Sequence, residues 1–300
     1  MKKTLISVVG PTAIGKTKLA INIAKYYNTE IISADSRQFF QEMTIGTAVP
    51  SKEELATIPH HFIQHKSILE PYSVGDFERD AIQLLEQLFQ KHAIVVMVGG
   101  SGLYIDAVTK GLDHFPEVAS EIRLQLNTTL KKEGITPLQK QLEALDPEYH
   151  KKVDLENPHR LIRALEVCIG TGKPYSFFLN QPKKARGFNL ISVGIDAERK
   201  IIYDRINQRV DIMVSEGLVE EAKALEKHKN LNALQTVGYR ELFSYFDGTF
   251  TLDFALSEIK KNTRRFAKRQ LTWFKKNKTI VWVGFNDDEK STLSKIDALL

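Results

Sequence analysis

Thr4-Leu5-Ile6-Ser7-Val8-Val9-Gly10-Pro11-Thr12-Ala13-Ile14-Gly15-Lys16-Thr17 is the stretch that decides the fold of this 300-residue chain. Its first half is a short apolar run, read as a buried strand. Its second half, Gly10 to Thr17, matches G-x-x-x-x-G-K-[ST], the pattern of a P-loop. Glycines at the two fixed positions let backbone N–H groups turn inward around phosphate oxygens. A helix beginning near Lys16 adds the positive end of its dipole. Lys16 brings a charge to the terminal phosphate, and the Thr17 hydroxyl is a ligand for Mg²⁺. After Thr17 the apolar residues Leu19, Ala20, Ile23, Ala24 and Tyr27 recur at helical spacing.

Outward from this unit the pattern repeats. Glu30 to Ala34 reads as a second strand ending at Asp35. A loop rich in turn formers follows, through Gly46 and Pro50 to Pro59. Asp76 to His92 reads as a helix, and the continuous apolar run Ala93 to Val98 as a central parallel strand before Gly99-Gly100. Alternating strands and helices predict an α/β fold, a P-loop doubly wound parallel sheet core. From about Pro116 to Arg186 the β-branched runs vanish. Helices are expected over Ser120 to Glu133, Pro137 to Leu145 and Asn157 to Gly170, so residues 116–186 read as a helical insertion domain. The core then comprises residues 1–115 and 187–300, with strands at Phe188 to Ile195 and Thr279 to Val283 and a basic C-terminal helix.

Composition sets outer bounds. Hydrophobic residues at 42% and charged residues at 26% exclude disordered, collagen-like and disulfide-rich classes. The one cysteine, Cys168, permits no intrachain disulfide and fits a reducing compartment. The N-terminal apolar run is too short for a membrane span, so a cytoplasmic, monomeric protein is expected. The net charge of +5 is weak on its own, but residues 258–278 hold nine Lys or Arg and one acid. A basic stripe of this kind follows a phosphate backbone or forms an ordinary solvated face. His60 and His61 lack a Cys or spaced His pair to complete a metal site, so they read as structural.

The P-loop by itself indicates a diphosphate and leaves a bound nucleotide such as ATP open. Most P-loop NTPases place an Asp at the end of a neighbouring apolar strand. The strand Ile94 to Val98, with Gly99 and Gly100 after it, has none. The acid nearest the phosphate crevice is Asp35, since ligands of open α/β sheets bind beyond the carboxyl ends of strands. From position alone Asp35 reads equally as a turn or capping residue.

At this point the chain resembles the tRNA dimethylallyltransferases, also called isopentenyl-tRNA transferases. The likeness rests on Gly10 to Thr17, Ser33-Ala34-Asp35-Ser36-Arg37-Gln38, Ile45-Gly46-Thr47-Ala48, Pro59-His60-His61 and Val98-Gly99-Gly100-Ser101-Gly102-Leu103-Tyr104. It continues through Asn157 to Glu166, Gly217-Leu218-Val219-Glu220-Glu221, Val237-Gly238-Tyr239-Arg240-Glu241 and Thr263 to Phe274. It spans nearly the whole chain, and the order of these motifs is far more specific than the P-loop.

The resemblance implies transfer of a dimethylallyl group from dimethylallyl diphosphate to N6 of the adenosine just 3′ of a tRNA anticodon, position 37, with release of diphosphate and with Mg²⁺ as cofactor. It implies that Gly10, Pro11, Thr12, Ala13, Ile14, Gly15, Lys16 and Thr17 hold the diphosphate. Asp35 becomes the base that takes the N6 proton, and Arg209 a cation beside the diphosphate. Contacts to the tRNA anticodon stem-loop fall to Asp35, Ser36, Arg37, Gln38, Ser101, Arg123, His159, Arg160, Leu161, Ile162 and Arg163. From their spacing alone, Leu161 and Ile162 read as core. Arg123 and Arg209 read equally as a solvated helix cation and a surface ion pair. In the basic helix, Ile259, Phe266, Ala267, Leu271 and Phe274 are expected as the core stripe, and Trp273 as packed in the core. The chain departs from the family at Val49, where many relatives have Lys, and at Phe39-Phe40, where many have an aliphatic residue and then Tyr. It carries no C-terminal Cys/His zinc motif. A nucleotide or small-molecule kinase and a nucleic-acid-binding protein without chemistry are the other classes that share these parts.

Overall fold

The computed structural model describes residues 2–300. The chain divides into two compact units, Met1–Lys110 with Arg186–Leu300, and Gly111–Ala185.

In chain order the first unit opens with β1 (Thr4–Val9), α1 (Lys16–Tyr26), β2 (Ile31–Ser33), α2 (Lys52–Thr57), β3 (His60–His61), α3 (Val74–Leu88), β4 (Ile94–Val98) and α4 (Gly102–Lys110). The second unit holds α5 (Ser120–Glu133), α6 (Thr136–Leu145), α7 (Pro147–His150) and α8 (Pro158–Thr171). The first unit then resumes with β5 (Asn189–Asp196), α9 (Arg199–Ser215), α10 (Leu218–Ala224), α11 (Tyr239–Phe246), α12 (Leu252–Phe274), β6 (Val281–Gly284) and α13 (Glu289–Asp297).

The six strands form one all-parallel sheet in the order β3-β2-β4-β1-β5-β6. Strand periodicity sorts the β1 side chains onto two faces. Leu5 and Val9 join Val95 and Met97 against Phe77, Ala81 and Leu85 of α3 and Ile105 and Val108 of α4. Ile6 and Val8 join Val96 and Val98 against Ala20, Ile23 and Ala24 of α1 and Ile202 and Ile206 of α9. Both faces are therefore covered by helices, which is why β1 and β4 are continuous apolar runs and not alternating ones. In the second unit, Leu126, Leu138, Leu142, Leu161, Ile162, Ala164 and Leu165 make a core of their own.

Several elements differ from expectation. The segment after Asp35 is not all loop. Ser51 caps α2 through a complete capping box with Glu54, and His60–His61 adds a parallel edge strand. Helix α3 starts at Val74, because Ser73 and Asp76 form another capping box, and it ends at Leu88. Helix α12 begins six residues before Glu258, capped by the Thr251 side chain, and stops at Phe274. Beyond it the Asn277 Oδ1 accepts from the Thr279 N–H and hydroxyl, which turns the chain toward β6.

Candidate active site at the carboxyl end of the sheet

The loop between β1 and α1 turns through left-handed backbone. Gly15, the N-cap of α1, sits at φ 104°, and Ala13 at φ 64°. Left-handed backbone is cheap for glycine and costs alanine roughly 1–2 kcal/mol, so this loop holds strain that its neighbours must balance. Arg205 of α9 helps by donating Nε to the Ala13 carbonyl at 2.7 Å. With no side chain capping α1, the N–H groups of its first turn remain for a ligand. The Lys16 Nζ folds back to donate to the Pro11 carbonyl at 2.8 Å. Burial pushes its pKa down from 10.5 to about 8. Asp35 pulls it upward, and Arg209 adds to the depression.

Asp35 follows β2 and its carboxylate Oδ1 accepts from the Arg37 N–H at 3.1 Å. Gly99, at the end of the neighbouring β4, lets the two strand ends close up. A Cβ there would stand 2.4 Å from the Ala34 carbonyl oxygen. This brings Ser101 to the same place. Its Oγ accepts from the Ser36 N–H at 3.2 Å and lies 3.1 Å from the Ser36 Oγ.

A cavity of about 500 Å³ opens here, lined by Thr12, Asp35, Ser36, Arg37, Ser101 and Arg209, among others. Six of the residues singled out by sequence thus share one wall system. Burial and the neighbouring Arg205 hold the Arg209 guanidinium below the usual arginine range, with Asp35 pulling the other way. Arg209 makes no ion pair among the described residues, which corrects the surface-pair reading. The wall also has an apolar sector from Val210, Met213, Leu218 and Ile259.

Other expected site residues have side chains engaged or buried within the chain. Gln38 is held by structure: its Nε2 donates to the Thr47 and Ala48 carbonyls at 3.3 and 2.8 Å, and its Oε1 accepts from the Ser33 hydroxyl. Arg37 lines the cavity, but its guanidinium donates to the Asn232 and Ala233 carbonyls at 3.0 Å. Ala13 and Ile14 are buried.

Arg123, His159, Arg160, Leu161, Ile162 and Arg163 belong to the second unit. Leu161 and Ile162 are buried in its core, so their side chains are removed from any RNA surface, while His159 and Arg160 are exposed. Arg123 and Arg163 converge on the buried Glu166 at 2.6 and 2.8 Å. Arg163 also lies 5.1 Å over the Phe115 ring.

In α12 the core stripe is Ala255, Ile259, Ala267, Gln270 and Phe274. Phe266 and Trp273 are exposed and line the cavity instead. Trp273 is kept at the surface because its Nε1 donates to Asp106 at 3.1 Å while its ring covers Gly102. Gln270 lies within the Thr263 to Phe274 motif, but the helical period, which calls for an apolar residue there, gives it no role.

Two further observations bear on chemistry. β1 has two neighbours, and the one not considered from sequence, β5, does end in an acid, Asp196. Its Oδ2 is taken by Lys275 at 2.7 Å and its Oδ1 by the Ala197 N–H. Among the described residues no cluster of three or more His, Cys, Asp or Glu offers a metal site. His61 instead pairs with Glu30 at 2.6 Å, and the His60 ring sits 2.7 Å from the Ile58 carbonyl.

Residues 38–277 match the family model described as IPP transferase. The chain is 62% identical over 298 residues to a tRNA dimethylallyltransferase of Christiangramia forsetii, covering 99% of each. It is 58% identical over 300 residues to one of Flavobacterium johnsoniae, covering 98% of this chain and 97% of the other. Among solved structures it resembles the full-length tRNA isopentenylpyrophosphate transferase of Bacillus halodurans. The TM-score is 0.73 at 37% identity, with 99% of this chain and 95% of the other covered. On these matches, and with this arrangement at the end of its sheet, the chain belongs to the IPP transferase family.

Proposed function

We propose that this protein is a tRNA dimethylallyltransferase that moves the dimethylallyl group of dimethylallyl diphosphate to N6 of adenosine 37, next to the anticodon, and releases diphosphate. The observation that carries the reading is the single cavity. Asp35, Ser101, Thr12 and Arg209 line it together with an apolar sector.

Each part has a physical task. The amides of Ala13, Ile14 and Gly15, the first turn of α1, Lys16 and Arg209 surround a departing diphosphate with positive charge. They stabilise the transition state as negative charge builds on the bridging oxygen and the allylic C–O bond breaks. The apolar sector at Val210, Met213, Leu218 and Ile259 suits the prenyl chain and keeps water from a carbocation-like carbon. The adenine amino group is a poor nucleophile, because its lone pair is delocalised into the ring. As its new N–C bond forms, Asp35 takes the proton, a contribution of roughly 10²–10⁴-fold. Ser36 and Ser101, already joined to each other, offer hydroxyls to the adenosine.

The donor set fits Mg²⁺ in one form only. Thr17, second residue of α1, provides a hard oxygen at the loop, and with no carboxylate cage among the described residues the ion would arrive with its diphosphate. Mg²⁺ commonly binds this way, through one or two protein oxygens, substrate phosphates and water. When bound, it supplies charge neutralisation to the diphosphate.

The RNA would lie along exposed cations of α12, among them Lys268 and Arg269. No helix among the described residues is long and apolar enough to cross a membrane. We read the chain as a cytoplasmic monomer. The kinase reading is weakened by the acid-free end of β4 and by the engagement of Asp196 with Lys275.

The test is incubation with an unmodified anticodon stem-loop and labelled dimethylallyl diphosphate. Label is expected on the RNA. No label, together with phosphate transfer from ATP, would overturn the proposal.

A further inference from the structure

Gln270 is the one polar residue in the buried stripe of α12, between Ala267 and Phe274, and it is 5% exposed. Its side-chain amide is used at both ends. Oε1 accepts from the Thr12 N–H at 2.8 Å, and Nε2 donates to the Gly100 carbonyl at 2.9 Å. These partners are 258 and 170 residues away in sequence and belong to two different loops. Thr12 lies in the phosphate loop after β1, and Gly100 in the loop after β4. Gly100 makes room for the amide, since a Cβ there would stand 2.2 Å from Nε2.

The connection does not stop at Gly100. Its neighbour Ser101 accepts from the Ser36 N–H, and Ser36 directly follows Asp35. A continuous path of hydrogen bonds and single peptide steps therefore runs from Thr12 through Gln270, Gly100, Ser101 and Ser36 to Asp35. One end carries the diphosphate side of the cavity, and the other carries the base and the hydroxyls.

We propose that Gln270 is a positioning residue for prenyl transfer: its amide fixes the separation of the leaving-group loop from the nucleophile loop. This rests on the reaction proposed above. Transfer to a nitrogen requires the attacking atom and the allylic carbon to be held at near-attack distance, and a displacement near 1 Å costs on the order of 10²-fold in rate. Only a neutral primary amide of this length satisfies both loops. Methionine fills the same space and leaves the Thr12 N–H and the Gly100 carbonyl unpaired. Glutamate keeps an acceptor for Thr12 but turns a carboxylate oxygen against the Gly100 carbonyl, with no proton to donate.

The experiment compares wild type, Gln270→Met and Gln270→Glu by single-turnover transfer of labelled dimethylallyl to a stem-loop at saturating concentrations of both substrates. Donor KM, stem-loop affinity and melting temperature are measured in parallel. Transfer by the wild type is established first, and its failure would count against the proposed reaction and not against the role of Gln270. For both variants the expected result is a rate at saturation lowered about 10- to 100-fold, with donor KM and stem-loop affinity within about threefold of wild type. Rates are taken per folded molecule, so a merely structural residue would lower the melting temperature and leave the saturated rate alone. That result, or a variant whose only defect is a raised KM, would overturn the proposal. If the methionine variant does not fold, the glutamate variant, which preserves size and one hydrogen bond, reads the same quantity.

Discussion

Replacing Asp35 with Ala separates binding from turnover. The side chain lines the cavity and, among the described residues, accepts a hydrogen bond from the Arg37 N–H. Its removal leaves the serine pair and the basic helix in place. The rate of transfer is expected to fall by roughly 10²–10⁴-fold, the usual contribution of a general base, while stem-loop affinity in a filter-binding assay stays within about twofold. Lys16 gives a prediction in pH. Its depressed pKa, about 8, means that the ammonium loses its proton as pH rises through 8 in the free protein, well before an unfolded lysine at 10.5. Donor affinity should therefore be flat below pH 8 and weaken above it, with proton uptake on diphosphate binding visible by calorimetry in buffers of different ionisation enthalpy. For stability the sign is opposite. The unfolded chain holds the extra proton between about 8 and 10.5, so this group favours the fold increasingly as pH rises through that window. An affinity unchanged across pH 7 to 9.5 would remove Lys16 from the diphosphate.

Helix α12 shows why counting charges along an element is insufficient. Six cations cluster on its outer side, yet Lys260 pairs with Asp211 at 2.5 Å, Lys261 pairs with Glu258, and Arg264 and Arg265 donate to Asn207 and Asn262. Lys268 is exposed and makes no ion pair among the described residues. Replacing it with Ala should flatten the salt dependence of stem-loop binding by roughly 0.7–0.9 in log–log slope, as loss of one phosphate contact does. Lys260→Ala should leave the slope nearly unchanged. Equal slopes for the two variants would show that Lys268 does not meet phosphate.

The same helix marks how far sequence could be read. Its amphipathic period located Ile259, Ala267 and Phe274 in the core, but a period cannot reveal that Gln270 is buried to serve two distant loops. Nor can it show that Trp273 is drawn to the surface by Asp106 on another helix. In contrast, β1, α1 and β4 were readable because apolar runs and the glycine pattern are local. Helix α2 has a local signal, the capping box Ser51 to Glu54, whereas β3 spans two residues and is too short for any period. The loop motif Ile45-Gly46-Thr47 stood out in sequence without a visible reason. The amides of Thr44, Ile45 and Gly46 wrap the Glu221 carboxylate at 2.8–3.0 Å, a long-range contact.

At the scale of the whole chain, the loop between β1 and α1 joins parts that are far apart in sequence: β1 before it, Arg205 of α9 on the Ala13 carbonyl and Gln270 of α12 on Thr12. A ligand seated there should stabilise the unit cooperatively. Inorganic pyrophosphate with Mg²⁺ at about 100 times its Kd is expected to add about 2.7 kcal/mol, read as a raised Tm. Lys16→Ala should abolish most of that rise. Pyrophosphate raising both melting temperatures equally would mean that it binds elsewhere.

The sheet order has a further consequence, for the birth of the molecule. β1 leaves the ribosome before either of its partners, residues 94–98 and 189–194. After β4 emerges, about 90 more residues must be made before β5 can close the other side of β1, which at ~5–20 residues per second takes roughly 5–20 s. During that interval one edge of the strand stays open to strangers. Gly111–Ala185, with its own core of leucines, is synthesised in this gap. Its local, helical contacts are the fast-forming kind. The nascent chain thus completes a small helical body while the older, more vulnerable half of the sheet waits for its last central strand.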